Sequence, residues 1–327
     1  MSDHNGTSML CSIFSRQEDE KIIGSARDVK RFLFMELGKP WSESALETDH
    51  IPDAVTRAYD NACDQGTFDG KFLPIAPDSE YSRDGYVRFL DFRRPDEAFS
   101  RYDAASYLIP EQELGEAAHI LLVDHERLDE LDPFRESDAP EQEIMVCTHM
   151  ERDPCCGHFG PPIHQALRTH FDGDDLRTWQ VSHVGGHRYC PNLISLPDGR
   201  YWGRMELAQL DNFVNHAGEF ADLSEQYRGW AALSPPEQIV EKAAFEREGW
   251  PWMNYRKTSS LTEMDSDDKQ FRVTIPYESD GASGTYEGIV TLSEPVRALK
   301  SECGSDTDQP AFKSAPQYEL VDLTHTT

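Results

Sequence analysis

The feature that most restricts this chain lies in its middle. Ile144-Met145-Val146-Cys147 is apolar enough for a buried strand and runs straight into Thr148-His149-Met150-Glu151-Arg152-Asp153-Pro154-Cys155-Cys156-Gly157-His158. Beyond it, Pro161-Pro162 suits a helix start, and Ile163, Ala166, Leu167 and His170 recur on one side at helical spacing. The order is strand, irregular loop, helix. Ser182-His183-Val184-Gly185-Gly186-His187 then places two histidines around a double glycine, which argues for a tight turn over a helix. Cys147 leaves a strand end, and Cys156 precedes the helix N-terminus, where unpaired N–H groups and the helix dipole favour anionic sulfur. If the strand ends lie side by side, Cys147, Cys156, His183 and His187 form a two-thiol, two-imidazole constellation.

Zinc and a 2Fe-2S cluster both accept such a set. Structural zinc usually pairs its cysteines two to four residues apart. Eight residues separate Cys147 from Cys156, a gap that is loose for one ion but able to wrap two irons, with both thiolates on one and both histidines on the other. By spacing alone, a buried cysteine with unrelated surface histidines and a thiol catalyst also stay open. The seven cysteines fall at 11, 63, 147, 155, 156, 190 and 303. The odd number, the crowding into 147–190 and the lack of a secretion signal point to a site and not a disulfide framework.

Charge narrows the partners. Sixty acidic against 31 basic residues give a net charge of −29, which repels phosphate backbones and anionic membranes, so nucleic acid is excluded. The acids are spread along the whole chain and most cations are arginine, a pattern that suits a halophilic prokaryote and predicts salt-dependent stability. The longest apolar run, Ala117 to Val123, is far below the roughly 20 residues of a membrane helix, and the expected location is cytoplasmic.

Three stretches follow from the pattern, with boundaries at 1–138, 139–226 and 227–327. The first reads as α/β: strands at Leu33 to Leu37, Tyr86 to Phe92 and Ile120 to Val123, a helix at Pro52 to Cys63, and an acidic, proline-containing linker at Asp129 to Glu143. In the second, Leu176 to Ser182 alternates, with Trp179 and Val181 on one face. Leu193 to Leu196, Pro197-Asp198-Gly199 and Arg200 to Met205 read as a hairpin, and Leu207 to Ala217 as a helix ended by Gly218. This β-α-β-β-β-α order resembles a thioredoxin-like layout. In the third, Ser234-Pro235-Pro236-Glu237 caps a helix to about Glu248, and Phe271 to Ile275, Gly284 to Leu292 and Tyr318 to Leu323 form a small antiparallel appendage, with loops at Asp280 to Gly284 and Ser301 to Gln309.

The residues also resemble the sucrase/ferredoxin-like family. Its cluster loop is a cysteine, eight residues, then Cys-Gly, with Arg-Asp inside, matched by Cys147, Arg152-Asp153 and Cys156-Gly157. Its second element, Ser/Thr-His-x-Gly-Gly-His, matches Ser182 to His187, and the following run matches Asn192, Pro197, Gly199, Trp202, Gly203 and Arg204. Cys11-Ser12, Ser15-Arg16, Gly24-Ser25-Ala26, Glu36 and Pro40-Trp41 look like its N-terminal signature. Tyr227-Arg228-Gly229 and Pro236 to Gln238 look like its C-terminal part. The resemblance implies a thioredoxin-like ferredoxin domain with a 2Fe-2S cluster on Cys147, Cys156, His183 and His187, and Arg152, Asp153, Gly157, Ser182, Gly185 and Gly186 around it. The N-terminal stretch reads as a degenerate thioredoxin-like unit.

The function so implied is one-electron transfer, coupled to protons through the ligand imidazoles, with an unidentified redox partner protein. No Gly-x-Gly-x-x-Gly fingerprint supplies reducing equivalents, no carboxylate pair supports a sucrase, and no Gly-x-Ser-x-Gly elbow supports a hydrolase. His187 is the weakest of the four assignments, because some relatives have aspartate there; Cys155 and Cys190 are additional thiols able to substitute. The rival readings are a zinc-stabilised binding or regulatory module on the same ligands, and a thiol-disulfide or peroxide oxidoreductase with Cys155 or Cys156 as a low-pKa nucleophile. Cys11 and Cys63 read as buried small side chains, and Trp41, Trp179 and Trp202 as packing residues. His149 and His158 are candidates for hydrogen bonding near the site, and Arg152 with Asp153 for an ion pair fixing the loop.

Overall fold

The computed structural model describes residues 10–173, 175–265, 269–299 and 312–327. Ser301 to Gln309 and Cys303 lie outside the described residues. A short helix α1 (Cys11–Gln17) precedes β1 (Arg31–Glu36), α2 (Asp53–Gln65), β2 (Lys71–Ile75), β3 (Tyr86–Arg93), β4 (Asp103–Pro110) and α3 (Leu114–Leu122). Next come β5 (Gln142–Cys147), α4 (Pro154–His170), β6 (Leu176–Val181), β7 (Asn192–Leu196), β8 (Arg200–Gly203), α5 (Leu210–Asn215) and β9 (Tyr227–Trp230). The chain ends with α6 (Pro235–Glu248), β10 (Arg256–Lys257), β11 (Ser260–Asp265), β12 (Gln270–Ser279), β13 (Ala282–Leu299) and β14 (Phe312–Thr326).

Nine strands form one mixed sheet in the order β4-β3-β1-β2-β6-β5-β7-β8-β9, and β10 to β14 form a separate antiparallel sheet. The large sheet repeats one topology. In its first half β1 and β2 are parallel through α2 while β3 and β4 add antiparallel on the other side; in its second half β5 and β6 are parallel through α4 while β7 and β8 add antiparallel. The halves meet at the carboxyl ends of β2 and β6 through the single antiparallel pair Ile75 and Val181.

Alternation along β5 decides what each face does. Ile144 and Val146 pack with Ile163 and Leu167 of α4. Met145 and Cys147 point the other way, into a core shared by Trp179, Ile194 and Tyr201 of their own half and Phe32, Phe34, Leu90 and Phe92 of the first half. On the far side of β1, Leu33 and Met35 pack against Val55, Ala58 and Ala62 of α2 and Leu114 to Leu122 of α3. The two half-sheets therefore share an inner core, with helices on their outer faces. Cys147 ends a strand that faces inward.

Several sequence expectations change. Ile120 to Val123 is not a strand: it continues α3, whose Leu114, Ala117, Ala118, Ile120 and Leu121 are all buried, and an apolar run this short has no period that separates the two. Asp129 to Glu143 is not a free linker, since His125–Phe134 is 3-10 helical and β5 begins at Gln142. The loop expected over Asp280 to Gly284 shrinks to the turn Asp280-Gly281, with Ala282 to Gly284 already in β13. The helix expected at Pro161 begins at Pro154 and carries both prolines inside it. The hairpin of β7 and β8 and the Ser234–Glu237 capping box form as expected, and Trp41, Trp179 and Trp202 are buried. Cys63, expected in the core, is exposed.

Candidate metal-donor site

Cys147 is the last residue of β5, paired in parallel register with Val181 at the end of β6, so the next residues of both strands leave the sheet side by side. The first of these exits turns into α4. Asp153 is the N-cap, its Oδ1 accepting from the Cys155 backbone N–H at 2.8 Å, and Pro154 takes the first helical position, where its missing N–H is of no consequence. Cys155 and Cys156 thus sit inside the first turn and do not precede it. Helix and strand touch at Gly160, where an added Cβ would lie 2.1 Å from the Cys147 carbonyl oxygen; only glycine lets α4 settle on the end of β5.

The second exit is the double-glycine turn. Gly185 and Gly186 have φ of 92° and 77°, in the left-handed region glycine adopts without penalty. Behind the turn lies the buried guanidinium of Arg228, which donates to the Gly185 carbonyl (3.0 Å), Asn192 Oδ1 (2.9 Å) and the Ser25 carbonyl (2.9 Å). An added Cβ on Gly186 would come within 2.5 Å of that guanidinium. Arg228 and the glycines together hold His183 over α4.

Cys147 Sγ, Cys156 Sγ and a ring nitrogen of His183 converge, all within 4.8 Å of one another. Cys156 Sγ is 3.7 Å from His183 Nδ1 and 3.3 Å from Cys190 Sγ, which also accepts from Asn192 Nδ2 at 3.3 Å. The His187 ring centroid is 6.0 Å from that of His183. It stands outside the tight group because Asp153 Oδ2 holds its Nδ1 at 2.6 Å, which leaves Nε2 as the nitrogen open to a metal. All three sulfurs are buried. The Cys147 thiol is pushed well up by its hydrogen bond with Cys156 and by burial. At Cys156 the bond from Cys147 pulls down, but Cys190 and burial outweigh it and the thiol is also raised. Both are protonated at neutral pH without a metal, so loading must displace their protons.

A second group of donors, Cys11, Asp153 and His187, also lies within 4.8 Å. Cys11 is disulfide-bonded, so it brings no thiolate, and this group offers a metal only its carboxylate and imidazole. That disulfide departs from the expected plain buried side chain. α1 covers this side: Cys155 Sγ is 3.6 Å from Cys11 Sγ and accepts from Ser12 Oγ at 3.3 Å. Burial pushes the Cys155 thiol up, as it does that of Cys190. The thiols at 155 and 156, the low-pKa candidates of the sequence, are thus both raised and not lowered.

Arg152 Nη1 reaches Glu43 Oε1 at 2.8 Å, while Asp153 serves the helix cap and His187. His149 Nε2 donates to the Ser42 carbonyl at 2.8 Å with its ring edge-on to Trp41, and His158 stacks edge-on against Phe159. Gly157 lies under Met150, whose Cβ and thioether would meet any added side chain. Ser182 Oγ, one residue before His183, is buried with no hydrogen-bond partner among the described residues. The N-cap role of Asp153 is open to sequence reasoning, since Asp-Pro is a cap and first-turn signature; its link to His187 and the role of Arg228, far along the chain, carry no local signal.

The fold and this pocket define an α/β protein with a buried thiol–imidazole donor set at the carboxyl ends of two parallel strands. A family model described as sucrase/ferredoxin-like matches residues 22–229, and the chain belongs to that family. Among curated proteins it is similar to Altered inheritance of mitochondria protein 32 of Meyerozyma guilliermondii, 26% identical over 155 residues covering 42% of this chain and 55% of that protein. It is also similar to the proteins of that name from Debaryomyces hansenii (30% over 104 residues; 29% and 38%) and Eremothecium gossypii (29% over 98 residues; 26% and 31%). The matches thus span about half the length of these relatives or less. No solved structure matches the chain.

Proposed function

We propose that this protein is a one-electron carrier whose 2Fe-2S cluster is held by Cys147, Cys156, His183 and His187. The observation that carries this reading is the convergence of Cys147, Cys156 and His183 within 4.8 Å, with the His187 ring standing off beside His183. Two thiols and two imidazoles are a fitting donor set, and a fourth donor outside the tight group suits something wider than one ion. The orphaned Ser182 hydroxyl beside His183 suits a group that brings acceptor atoms of its own, as bridging sulfides do and a bare ion does not. When bound, such a cluster supplies one-electron transfer at a potential raised by neutral imidazoles in place of two thiolates.

The protein's own residues do the rest. Asp153 holds the proton on His187 Nδ1 and fixes the ring; Arg228 fixes the double-glycine turn; the inner core packs around the sulfurs. The order β6-β5-β7-β8 with α4 between the parallel pair supports a thioredoxin-like ferredoxin domain over 139–226. The matching order β2-β1-β3-β4 supports a degenerate copy over 1–138, with 227–327 as the appendage. In that copy the segment 37–52 holds no cysteine, and its one histidine, His50, bonds the Gly38 carbonyl. No described helix is long and apolar enough to cross a membrane. A cytoplasmic location and a redox partner protein complete the proposal, the net charge of −29 disfavouring nucleic acid and anionic lipid.

A zinc-stabilised module is the second reading, favoured by Cys190 as a third sulfur 3.3 Å from Cys156. Iron, sulfide and zinc analysis with a visible spectrum, on protein purified anaerobically in high salt, separates the two. Broad absorption from about 400 to 600 nm with two irons and two sulfides per chain is expected. Colourless protein holding zinc favours the second reading, and protein that takes no metal after reconstitution removes both.

A further inference from the structure

We propose that Cys156 and Cys190 are a reversible dithiol–disulfide pair whose closure withdraws Cys156 from the metal-donor site. The two sulfurs are 3.3 Å apart, within the roughly 3–3.5 Å separation at which groups are placed to react, and neither is disulfide-bonded. Cys190 lies outside the group formed by Cys147, Cys156 and His183, and the proposed set of four ligands does not use it. It is held in place on both sides of the chain. Its N–H donates to the His187 carbonyl at 3.1 Å, and its sulfur accepts from Asn192, whose own amide is tied to the Gly186 carbonyl and to Arg228. The same Arg228 network that positions the histidines therefore fixes a spare sulfur against one of the sulfurs they share a site with.

The oxidant is a peroxide, small enough to reach a buried sulfur beside the half-buried His183. One thiol gives up its proton, its thiolate attacks a peroxide oxygen, the O–O bond breaks, and the departing hydroxide takes up the proton, so that a sulfenic acid and one water form. The second sulfur displaces the hydroxyl from that sulfenic acid, forming the S–S bond and a second water. The two sulfurs together lose two electrons, which the peroxide oxygens gain, and the two thiol protons leave in the waters. A dithiol reductant reverses the reaction. The effect on loading rests on Cys156 being a ligand; the disulfide itself does not.

The test starts from full-length protein stripped of metal in chelator and reductant, then treated with hydrogen peroxide. Remaining thiols are blocked with N-ethylmaleimide and the digest is mapped by mass spectrometry. Expected are a peptide pair joined through Cys156 and Cys190, loss of both of these thiols beyond any consumed at Cys11, and recovery of both with dithiothreitol. Oxidised protein takes up no iron or zinc until reduced, whereas Cys190→Ser treated the same way still does. Cys190 staying open to alkylation, or a crosslink joining Cys147 or Cys155 instead, overturns the proposal, and these wild-type readings do not depend on how the variant folds. If the Cys156–Cys190 disulfide forms but reduced protein takes neither iron nor zinc, the ligand reading fails and the pair stands. If iron loads and Cys190 still alkylates, the pair fails and the ligand reading stands.

Discussion

Asp153 does two jobs with its two oxygens, and substitutions separate them. Asp153→Asn keeps an oxygen for the Cys155 N–H but loses the charge facing His187; Asp153→Ala loses both. Loss of an N-cap costs about 1 kcal/mol, and loss of a carboxylate behind a metal-binding histidine typically costs about 10- to 100-fold in metal affinity. Metal affinity is expected to fall in both variants, by competition titration, while the melting temperature falls only in the alanine one. Glu143, at the start of β5, offers a pH test away from the site. Burial pushes its carboxyl up to about 8 from an ordinary 4.5, against the pull of the Trp179 Nε1–H bond at 2.6 Å. The folded protein therefore holds a proton that the unfolded chain releases. The stability this group contributes is complete below pH 4.5 and is lost as pH rises through about 8, at up to about 1.4 kcal/mol per pH unit. Glu143→Gln is expected to flatten the decline in denaturant midpoint over that window; an unchanged slope rejects the assignment.

At the level of elements, the site depends on how closely α4 approaches β5. Alanine is ordinarily better than glycine within a helix by about 1 kcal/mol, but at Gly160 its Cβ would collide with the Cys147 carbonyl. Gly160→Ala is therefore expected to lower stability by roughly 1–3 kcal/mol, as overpacking does, and to reduce metal content with it; a stabilised, fully loaded variant would contradict the close approach. The same region marks how far the sequence could be read. Cys147 at a strand end, Trp179 and Val181 on one face, and the double-glycine turn follow from short-range patterns, and the structure has each of them. The start of α4 at Pro154 is hidden in the sequence, because Pro161-Pro162 is a stronger helix-start pattern than the Asp153-Pro154 cap. β2 was missed because Pro74 sits within it and has no N–H to give; that strand is also where the sheet narrows to the single pair Ile75 and Val181. Cys190 meeting Cys156 depends on β7 lying beside β5, which no local pattern states.

Over the whole molecule, a net charge of −29 stores self-repulsion that the fold must overcome. The screening length falls from about 10 Å at 0.1 M salt to about 3 Å at 1 M, so the melting temperature is expected to rise steeply over that range and then level. A melting temperature independent of salt would mean that the acids are locally compensated, as Arg88 is between Glu36 and Glu136. The repeated topology of the large sheet gives the two halves a shared inner core, but among the described residues it is the second half that places sulfur together with imidazole at its strand ends. The ligand set itself is tested most directly by pulsed EPR of the reduced, iron-loaded protein. Coupling to histidine nitrogen is expected in the wild type, weakened in His183→Ala and in His187→Ala. A reduced cluster with no nitrogen coupling, bound through sulfur alone, would contradict the assignment of Cys147, Cys156, His183 and His187.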